Sequence, residues 1–181
     1  MIFSDTGLDG AHLVTPDRIE DERGFFARTW CVREFGTLGL ETRLVQCSTS
    51  FNRKKGTLRG MHYQVPPSAE VKLVCCTRGA IFDAILDLRP GSPTYGKHFG
   101  TILDDENRNM LYIPVGFAHG FLTLKDDTEV HYQMSEFYAP ECARGVRWDD
   151  PAFGIPWPEP VCVISDRDCH LPDFRKGGTD R

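Results

Sequence analysis

The sequence contains no hydrophobic run that approaches the ~20 apolar residues that a membrane-spanning helix needs. Residues 1–5 also lack the charged and apolar regions of a secretory signal peptide. These two absences predict a protein that neither spans a membrane nor enters a secretory route, and they favour the cytoplasm.

An excess of positive charge is missing as well. The chain carries 21 Lys and Arg residues against 26 Asp and Glu residues, for a formal net charge of −5 at pH 7. Nucleic acids and anionic membrane surfaces attract basic proteins, so this balance argues against both as partners. A ligand that contains phosphate would need cations concentrated at one place.

The seven cysteines include no C-x-x-C pair, and their number is odd. A disulfide framework and a structural zinc site are therefore both disfavoured. We expect small, core-filling thiols in a reducing cytoplasm.

The length of 181 residues predicts a single domain over residues 1–181. Twelve prolines and seventeen glycines divide the chain into short runs, and alternation predicts that Val130, Tyr132 and Met134 share one face of a strand. Many short strands favour an antiparallel sandwich or barrel. Strands are predicted over 44–48, 71–76, 80–88, 110–113, 121–124 and 129–134, a short helix over 31–38, and a frayed tail from about residue 174.

Two histidine-centred motifs stand out, Gly56–Gln64 (GTLRGMHYQ) and Pro114–Gly120 (PVGFAHG). Together they resemble the two motifs of the cupin superfamily, a jelly-roll β-barrel that often binds a metal through His-x-His, Glu and a later His. Here Gln64 stands at the second histidine and Glu70 lies too far along the chain. Because an amide oxygen is a poor ligand for a transition metal, we predict no metal site.

Cations flank the first histidine of these motifs, His62. The guanidinium of Arg59 is a planar fork that suits phosphate, and the ammonium of Lys72 suits a developing oxyanion. The alternatives are a purely structural His62 and a Lys72 that points away from the barrel interior.

The chain as a whole resembles the dTDP-4-dehydrorhamnose 3,5-epimerase family. The resemblance extends from residue 21 to residue 168 and implies an all-β, cupin-like jelly roll with short flanking helices. It further implies a homodimer that needs no metal or other cofactor and acts on a nucleotide-linked 4-keto-6-deoxyhexose. The motifs that carry it are 21–26 (DERGFF), 59–64 (RGMHYQ), 72–74 (KLV), 87–89 (DLR), 92–95 (SPTY), 113–121 (IPVGFAHGF), Tyr132, 138–141 (YAPE), 148–151 (WDDP) and 165–168 (SDRD).

The resemblance implies a catalytic role for each of four residues. His62 matches the general base, Asp168 its orienting partner, Lys72 the cation beside the sugar ketone, and Tyr132 the proton donor. Such a set suits epimerisation beside a ketone, which needs a base, a group that stabilises an enolate, and an acid on the opposite face. The alternative for Tyr132 is an aromatic residue of the core.

Other positions match contacts with the nucleotide. The resemblance places a base-stacking ring at Tyr138 and implies that residues near the N-terminus complete the neighbouring subunit's site. Many dTDP-specific members differ from this chain at Arg28, at 47–49 and at Ala143, which keeps a CDP-sugar open. The predicted binding residues are Arg23, Phe26, Arg28, Cys47, Ser48, Thr49, Arg59, His119, Tyr138 and Arg167.

We therefore predict an isomerase that inverts C3 and/or C5 of dTDP-4-dehydro-6-deoxy-D-glucose through an enolate. Inversion at C3 alone or at C5 alone stays open, because the same base and acid serve both. From other classes, the alternatives are a non-catalytic sugar-binding jelly roll and a metal-dependent cupin enzyme, the latter in conflict with Gln64.

Overall fold

The computed structural model describes residues 1–174 of the chain. They form thirteen short strands and two short helices, and none of these helices has the length and apolar character to cross a membrane. The elements are β1 (Ile2–Asp5), β2 (His12–Thr15), β3 (Arg18–Asp21), β4 (Gly24–Ala27), α1 (Val32–Thr37), β5 (Gln46–Asn52), β6 (Leu58–Gln64), β7 (Lys72–Arg78), β8 (Ala80–Asp87), β9 (His98–Asp104), β10 (Met110–Ile113), β11 (Phe117–Thr123), β12 (Thr128–Met134), β13 (Ala143–Gly145) and α2 (Asp166–Cys169).

Two antiparallel sheets face each other as a jelly roll, which confirms the predicted fold class. One has six strands in the order β1-β2-β10-β7-β12-β5, and the other has five in the order β13-β6-β11-β8-β9. Strands β3 and β4 form a separate hairpin.

The core lies between the two sheets. Val74 and Val130 from the six-stranded sheet pack with Ile81, Ile85 and Phe121 from the five-stranded sheet, all with 1% exposure or less. Alternation along each strand turns these side chains inward and leaves the next residue on the outer face. The outer faces are covered separately, one by α1 through Phe35 and the other by the segment that contains Val146 and Phe153. Burial on both faces explains why β8 and β11 read as almost continuously apolar.

All six predicted strands exist, and so does the predicted helix, which spans Val32–Thr37. Val130, Tyr132 and Met134 share the inward face of β12, because Val130 and Tyr132 pack on the same core and Met134 is buried. Two predicted bounds were wrong, since the run at 44–48 is a strand over Gln46–Asn52 and the run at 121–124 belongs to a strand that begins at Phe117. The expected frayed tail lies outside the described residues, except for residue 174.

A close approach of two strands requires glycine at the centre of the barrel. Gly60 of β6 has a φ of 140°, and a Cβ there would lie 2.5 Å from the Cα of Gly120 in β11. Neither β6 nor β11 could move to make room without breaking the pairing between the two strands. The two glycines therefore bring β6 and β11 together at the point where these strands carry His62 and His119, which face each other in the register.

The prediction of core-filling cysteines holds only in part. All seven thiols are free, and Cys76 and Cys142 are buried. Cys47, Cys162 and Cys169 are exposed, because they lie on an edge strand, in a surface segment and on the outer side of α2. Burial raises the pKa of Cys76 to about 12, which makes this thiol a poor nucleophile.

Candidate active site

A cavity of about 750 Å³ opens between the two sheets at one end of the barrel. The strands β6 and β11 contribute from the five-stranded sheet, and β5, β7 and β12 contribute from the six-stranded sheet. The residues just before and within α2 close one side. Nine of the predicted site residues line this cavity: Ser48, Arg59, His62, Lys72, His119, Tyr132, Tyr138, Arg167 and Asp168.

His62 and Asp168 form a hydrogen-bonded pair in this cavity. The Nε2 atom of His62 lies 2.7 Å from the Oδ1 atom of Asp168. A carboxylate only accepts, so Nε2 donates in this bond, and Nδ1 is the nitrogen that carries the lone pair in the neutral imidazole. The imidazole is 38% exposed and the carboxylate 5%, which leaves His62 open to a ligand while Asp168 stays behind it.

Three neighbours hold Asp168 in place, two of them through its carboxylate and one through its backbone. The Oγ atom of Ser165 caps α2 by accepting from the backbone N–H of Asp168, and the N–H of Gly60 donates to Oδ2 at 3.3 Å. Burial acts to raise the pKa of Asp168, but the hydrogen bond and the charge of His62, together with the bonds to Gly60 and Ser165, outweigh it and lower this pKa. The carboxylate is therefore ionised at neutral pH and holds the imidazole in one tautomer.

Lys72 reaches the cavity from the opposite sheet. It lies on the inward face of β7 with Val74 and Cys76, so the alternative of an outward-pointing lysine was wrong. Its Nζ atom lies 3.1 Å from Oε1 of Glu70 and donates to the backbone oxygen of His62 at 3.4 Å. Both side chains of the ion pair are close to buried, which holds the ammonium beside His62.

Tyr132 lines the same cavity from β12 and packs against the core with its ring. Burial raises the pKa of its phenol, and the negative charge of Asp83 raises it further, while Arg59 lowers it by less. The hydroxyl therefore stays protonated at neutral pH, which is the state that a proton donor needs. Tyr132 is thus both a packed aromatic and a cavity residue.

A second histidine–carboxylate pair lies deeper in the barrel. The Nε2 atom of His119 is 2.7 Å from Oδ1 of Asp83, and both side chains are buried. The His119 ring stands nearly perpendicular to the Tyr132 ring, with 6.0 Å between the ring centres. Within the described residues, the other oxygen of Asp83 has no hydrogen-bond partner. The buried Asp83 carboxylate therefore binds His119 directly and lies close enough to Tyr132 to influence its phenol.

The remaining cations of the cavity lie nearer its opening. Arg59 and Arg167 are exposed, and Nε of Arg59 donates to Oδ1 of the buried Asn52 at 2.8 Å. That bond leaves the terminal nitrogens of Arg59 open to an anion. Tyr138 is 55% exposed at the rim.

Five predicted binding residues do not line this cavity. Cys47 and Thr49 alternate with Ser48 along β5 and therefore occupy the outer face of the sheet. Their side chains do not line the cavity of their own chain. Arg28 bonds Glu34 at 2.8 Å, and Arg23 and Phe26 lie on the β3–β4 hairpin, away from the cavity of their own chain.

Gln64 stands where metal-binding cupins carry the second histidine of their ligand motif, and its amide bonds to the backbone instead. The buried amide of Gln64 binds the backbone at Ser68, Phe137 and Ala139. Among residues 1–174, no group of three or more His, Cys, Asp or Glu side chains is arranged to hold a metal ion.

Comparison with known proteins matches this geometry to one family. A sequence profile described as dTDP-4-dehydrorhamnose 3,5-epimerase matches residues 5–176. The enzyme of that name from Methanothermobacter thermautotrophicus is 46% identical over 177 residues, which are 96% of this chain and 95% of the relative. The chain belongs to the dTDP-4-dehydrorhamnose 3,5-epimerase family.

Two further family members bear on the substrate. The crystal structure of the Bacillus anthracis dTDP-4-dehydrorhamnose 3,5-epimerase with TDP and PPi bound superposes with a TM-score of 0.92 at 39% identity, and covers 96% of this chain and 99% of that one. A dTDP-4-dehydrorhamnose 3-epimerase from Streptomyces niveus is 39% identical over 163 residues, 90% of this chain and 78% of the relative.

Sequence reasoning missed three polar residues of this family site. Asp83 carried a usable signal, because alternation along 80–88 places it on the inward face between Ile81 and Ile85, where a lone carboxylate is unusual. Glu70 was considered only as a metal ligand, although it lies two residues from Lys72. Asn52 offered no sequence signal, because only the fold brings it to Arg59.

Proposed function

We propose that the chain is a dTDP-4-dehydrorhamnose 3,5-epimerase whose base and acid are His62 and Tyr132. One observation carries the assignment of these roles: His62 with its carboxylate partner enters the cavity from the five-stranded sheet, and the protonated Tyr132 enters from the six-stranded sheet. Inversion at carbon requires removal of a proton from one face and its return to the other, so the two groups must lie on opposite sides.

The ketone at C4 of the sugar acidifies the hydrogens at C3 and C5. Nδ1 of His62 removes one of these hydrogens as a proton, and the electron pair of the C–H bond moves into an enolate. Asp168 is the positioning residue that stabilises the imidazolium formed in this step. The ammonium of Lys72 lies beside His62 and lowers the energy of the enolate oxygen.

Tyr132 then donates its phenolic proton to the carbon from the opposite face. Its raised pKa matches it to a strongly basic enolate carbon. Solvent then reprotonates the phenolate and takes the proton from the His62 imidazolium, which restores both groups for a second round. Two rounds, one at C3 and one at C5, give dTDP-4-dehydro-L-rhamnose. The ketone supplies the acidity and Lys72 the positive charge, so this route uses no metal or other cofactor.

Cations and one aromatic ring hold the nucleotide in this proposal. Arg59 and Arg167 meet the diphosphate, His119 contacts the sugar, and Tyr138 stacks on the base at the rim. Arg59, Arg167 and Tyr138 are exposed at the opening, whereas Lys72 and His119 lie deeper inside, which supports a ligand that enters with its sugar first. The TDP in the Bacillus anthracis relative supports a thymidine nucleotide.

The working form in this proposal is a homodimer. The hairpin β3–β4 pairs Ile19 with Phe26 across its two strands, and these side chains are 71% and 72% exposed. Apolar side chains exposed to that extent on one face favour burial against a second copy. In that position Arg23 and Phe26 would complete the nucleoside site of the neighbour.

Compartment and domain organisation complete the proposal. Seven free thiols suit a reducing compartment, which supports the cytoplasm. The family profile spans residues 5–176, which supports one jelly-roll domain for the whole chain.

Proton exchange with solvent tests this function directly. We would incubate the protein in heavy water with dTDP-4-dehydro-6-deoxy-D-glucose and, in parallel, with the CDP-linked sugar. The proposal expects deuterium at both C3 and C5 and inversion of both centres with the dTDP sugar. Binding without any exchange would instead identify a non-catalytic sugar-binding jelly roll.

Epimerisation at C3 alone is the second candidate, because the Streptomyces niveus relative is named a 3-epimerase. The same base and acid serve both reactions. Deuterium at C3 with none at C5 would assign this narrower activity. Faster exchange into the CDP-linked sugar would show that the preferred nucleotide carries cytosine and not thymine.

A further inference from the structure

Gln64 is a buried amide at the rim of the cavity, with only 3% of its surface exposed. Its Nε2 atom donates to the backbone oxygens of Ser68 at 2.9 Å and of Phe137 at 3.2 Å. Its Oε1 atom accepts from the backbone N–H of Ala139 at 2.7 Å. Two of these three bonds hold the residues on either side of Tyr138.

A second glutamine holds the residue between them. The backbone N–H of Tyr138 donates to Oε1 of Gln46 at 3.4 Å, so three consecutive residues are each bound by a glutamine side chain. The segment has no regular secondary structure of its own. Its backbone is therefore held by side chains, while the Tyr138 ring itself is 55% exposed.

Only an amide can make the bonds that Gln64 makes. The site needs two donors from one atom and one acceptor from the other. A carboxylate has no donor when ionised, and a neutral imidazole offers one donor and one acceptor on a rigid ring. This requirement explains glutamine at a position where metal-binding cupins carry histidine.

We propose that Gln64 is a positioning residue for the nucleoside, because it fixes the backbone on both sides of Tyr138 and so orders that ring before the ligand arrives. The proposal rests on the proposed function, in which Tyr138 stacks on the base. Because the Tyr138 ring is ordered before the ligand arrives, binding does not have to bear the entropic cost of ordering it. Loss of Gln64 should therefore weaken nucleotide binding much more than it slows the chemistry.

The test compares Gln64→Glu with the wild-type protein. Glutamate keeps the size of the side chain but opposes two backbone oxygens with a carboxylate. We expect the Kd for TDP, measured by calorimetry, to rise about tenfold, the scale of one disrupted buried hydrogen bond. We expect the KM for the dTDP-sugar to rise in parallel, and kcat for deuterium exchange to stay within about threefold. Gln64→Met, which makes no such bonds and carries no charge, serves as the second variant if Gln64→Glu does not fold.

Gln133→Glu is the matched control. Gln133 lies on the outward face of β12, between Cys47 and Leu73 of the neighbouring strands, and does not line the cavity. It undergoes the same chemical change with no link to Tyr138. Its Kd for TDP should equal that of the wild-type protein.

A double-mutant cycle separates positioning from a general loss of structure. If Gln64 acts through Tyr138, Tyr138→Ala should weaken TDP binding, and adding Gln64→Met should weaken it little further. Additive losses, or a TDP affinity unchanged by Gln64→Glu and Gln64→Met, would overturn the inference. Failure of the wild-type protein to bind TDP would instead refute the proposed function, so the two failures are distinct.

Discussion

Asp83 and His119 form a buried pair in which Oδ1 lies 2.7 Å from Nε2. The bond engages Nε2 and leaves Nδ1 as the only ring nitrogen available to other groups. The same carboxylate raises the pKa of Tyr132, after the larger effect of burial. Asp83 therefore acts on two cavity residues without lining the cavity itself.

This pair leads to a prediction about stability. His119→Ala leaves the Asp83 carboxylate buried with both oxygens unpaired, and the free energy of unfolding should fall by about 3–5 kcal/mol. Adding Asp83→Asn removes the stranded charge and should recover part of that loss. Urea unfolding of the two single variants and the double variant measures the coupling. A double variant less stable than either single one would contradict a charge-pair account.

Proton exchange distinguishes the base from the acid. His62→Asn should abolish both deuterium uptake and inversion, with a rate loss of about 10²–10⁴-fold, because no group remains to form the enolate. Tyr132→Phe should still exchange hydrogen at C3 or C5, through return of deuterium from the His62 face. It should therefore keep the starting configuration at the exchanged carbon.

Phenylalanine retains the ring that packs on the core, so the melting temperature of Tyr132→Phe should confirm an intact fold. Asp168→Asn is the companion variant, and it should resemble a weakened His62 variant because it disturbs the orientation of the base. Inversion by Tyr132→Phe at the wild-type rate would show that another group, or water, supplies the proton.

Asp87 gives stability a dependence on pH. Its buried carboxylate accepts hydrogen bonds from Arg89, Ser92 and Thr94, which overcome the effect of burial and lower its pKa to about 2. The unfolded chain binds this proton near pH 4. The carboxylate therefore stabilises the fold above about pH 4, and this contribution is lost as the pH falls from about 4 to about 2.

Asp87→Asn should accordingly lower the free energy of unfolding by about 2 kcal/mol at neutral pH and by progressively less below about pH 4. Urea unfolding at several pH values measures the difference. Asp17→Asn, at an exposed carboxylate, is the control and should cost little at any pH. A cost for Asp87→Asn that stays constant with pH would show that lost packing, and not ionisation, is responsible.

The sequence predicts six of the thirteen strands described, most of them apolar and regular, and misses the other seven, among them β6 with its polar side chains. β6 carries Arg59, His62 and Gln64 and has no regular apolar alternation, because five of its seven residues line the cavity. The same reason hid the true extent of β5, whose inward serines line the cavity.

The candidate site residues also differ in how far the sequence alone could identify them. His62 and Lys72 stand out in their own motifs, whereas Tyr132 and Asp168 follow only from the resemblance to the family, because an aromatic residue on a half-buried strand and a lone carboxylate near the C-terminus have no chemical signature of their own. Cys47 and Thr49 were assigned as a block with Ser48, although alternation allows only one side of β5 to face the cavity.

Independence from metal is expected from the bonding of Gln64. Its amide atoms are engaged by the backbone, so they are not free to complete a ligand set with His62. Chelator-treated, metal-free protein should keep full turnover of the dTDP-sugar. Loss of turnover that one particular divalent metal restores would contradict this expectation.

Subunit mixing tests whether Phe26 serves the neighbour's site. Sedimentation should first show a species of twice 20.5 kDa. Phe26→Ala and His62→Asn should each lower activity in the homodimer. If Phe26 acts in the neighbour, a mixed dimer has one site with the wild-type His62 of one chain and the wild-type Phe26 of the other, and activity should return after the two variants exchange subunits. If Phe26 acts within its own chain, every mixed site carries one defect and mixing restores nothing.

The expected result is recovery to about half of the wild-type rate per mixed dimer, because one of its two sites is intact. A fully active monomer would refute the shared site outright.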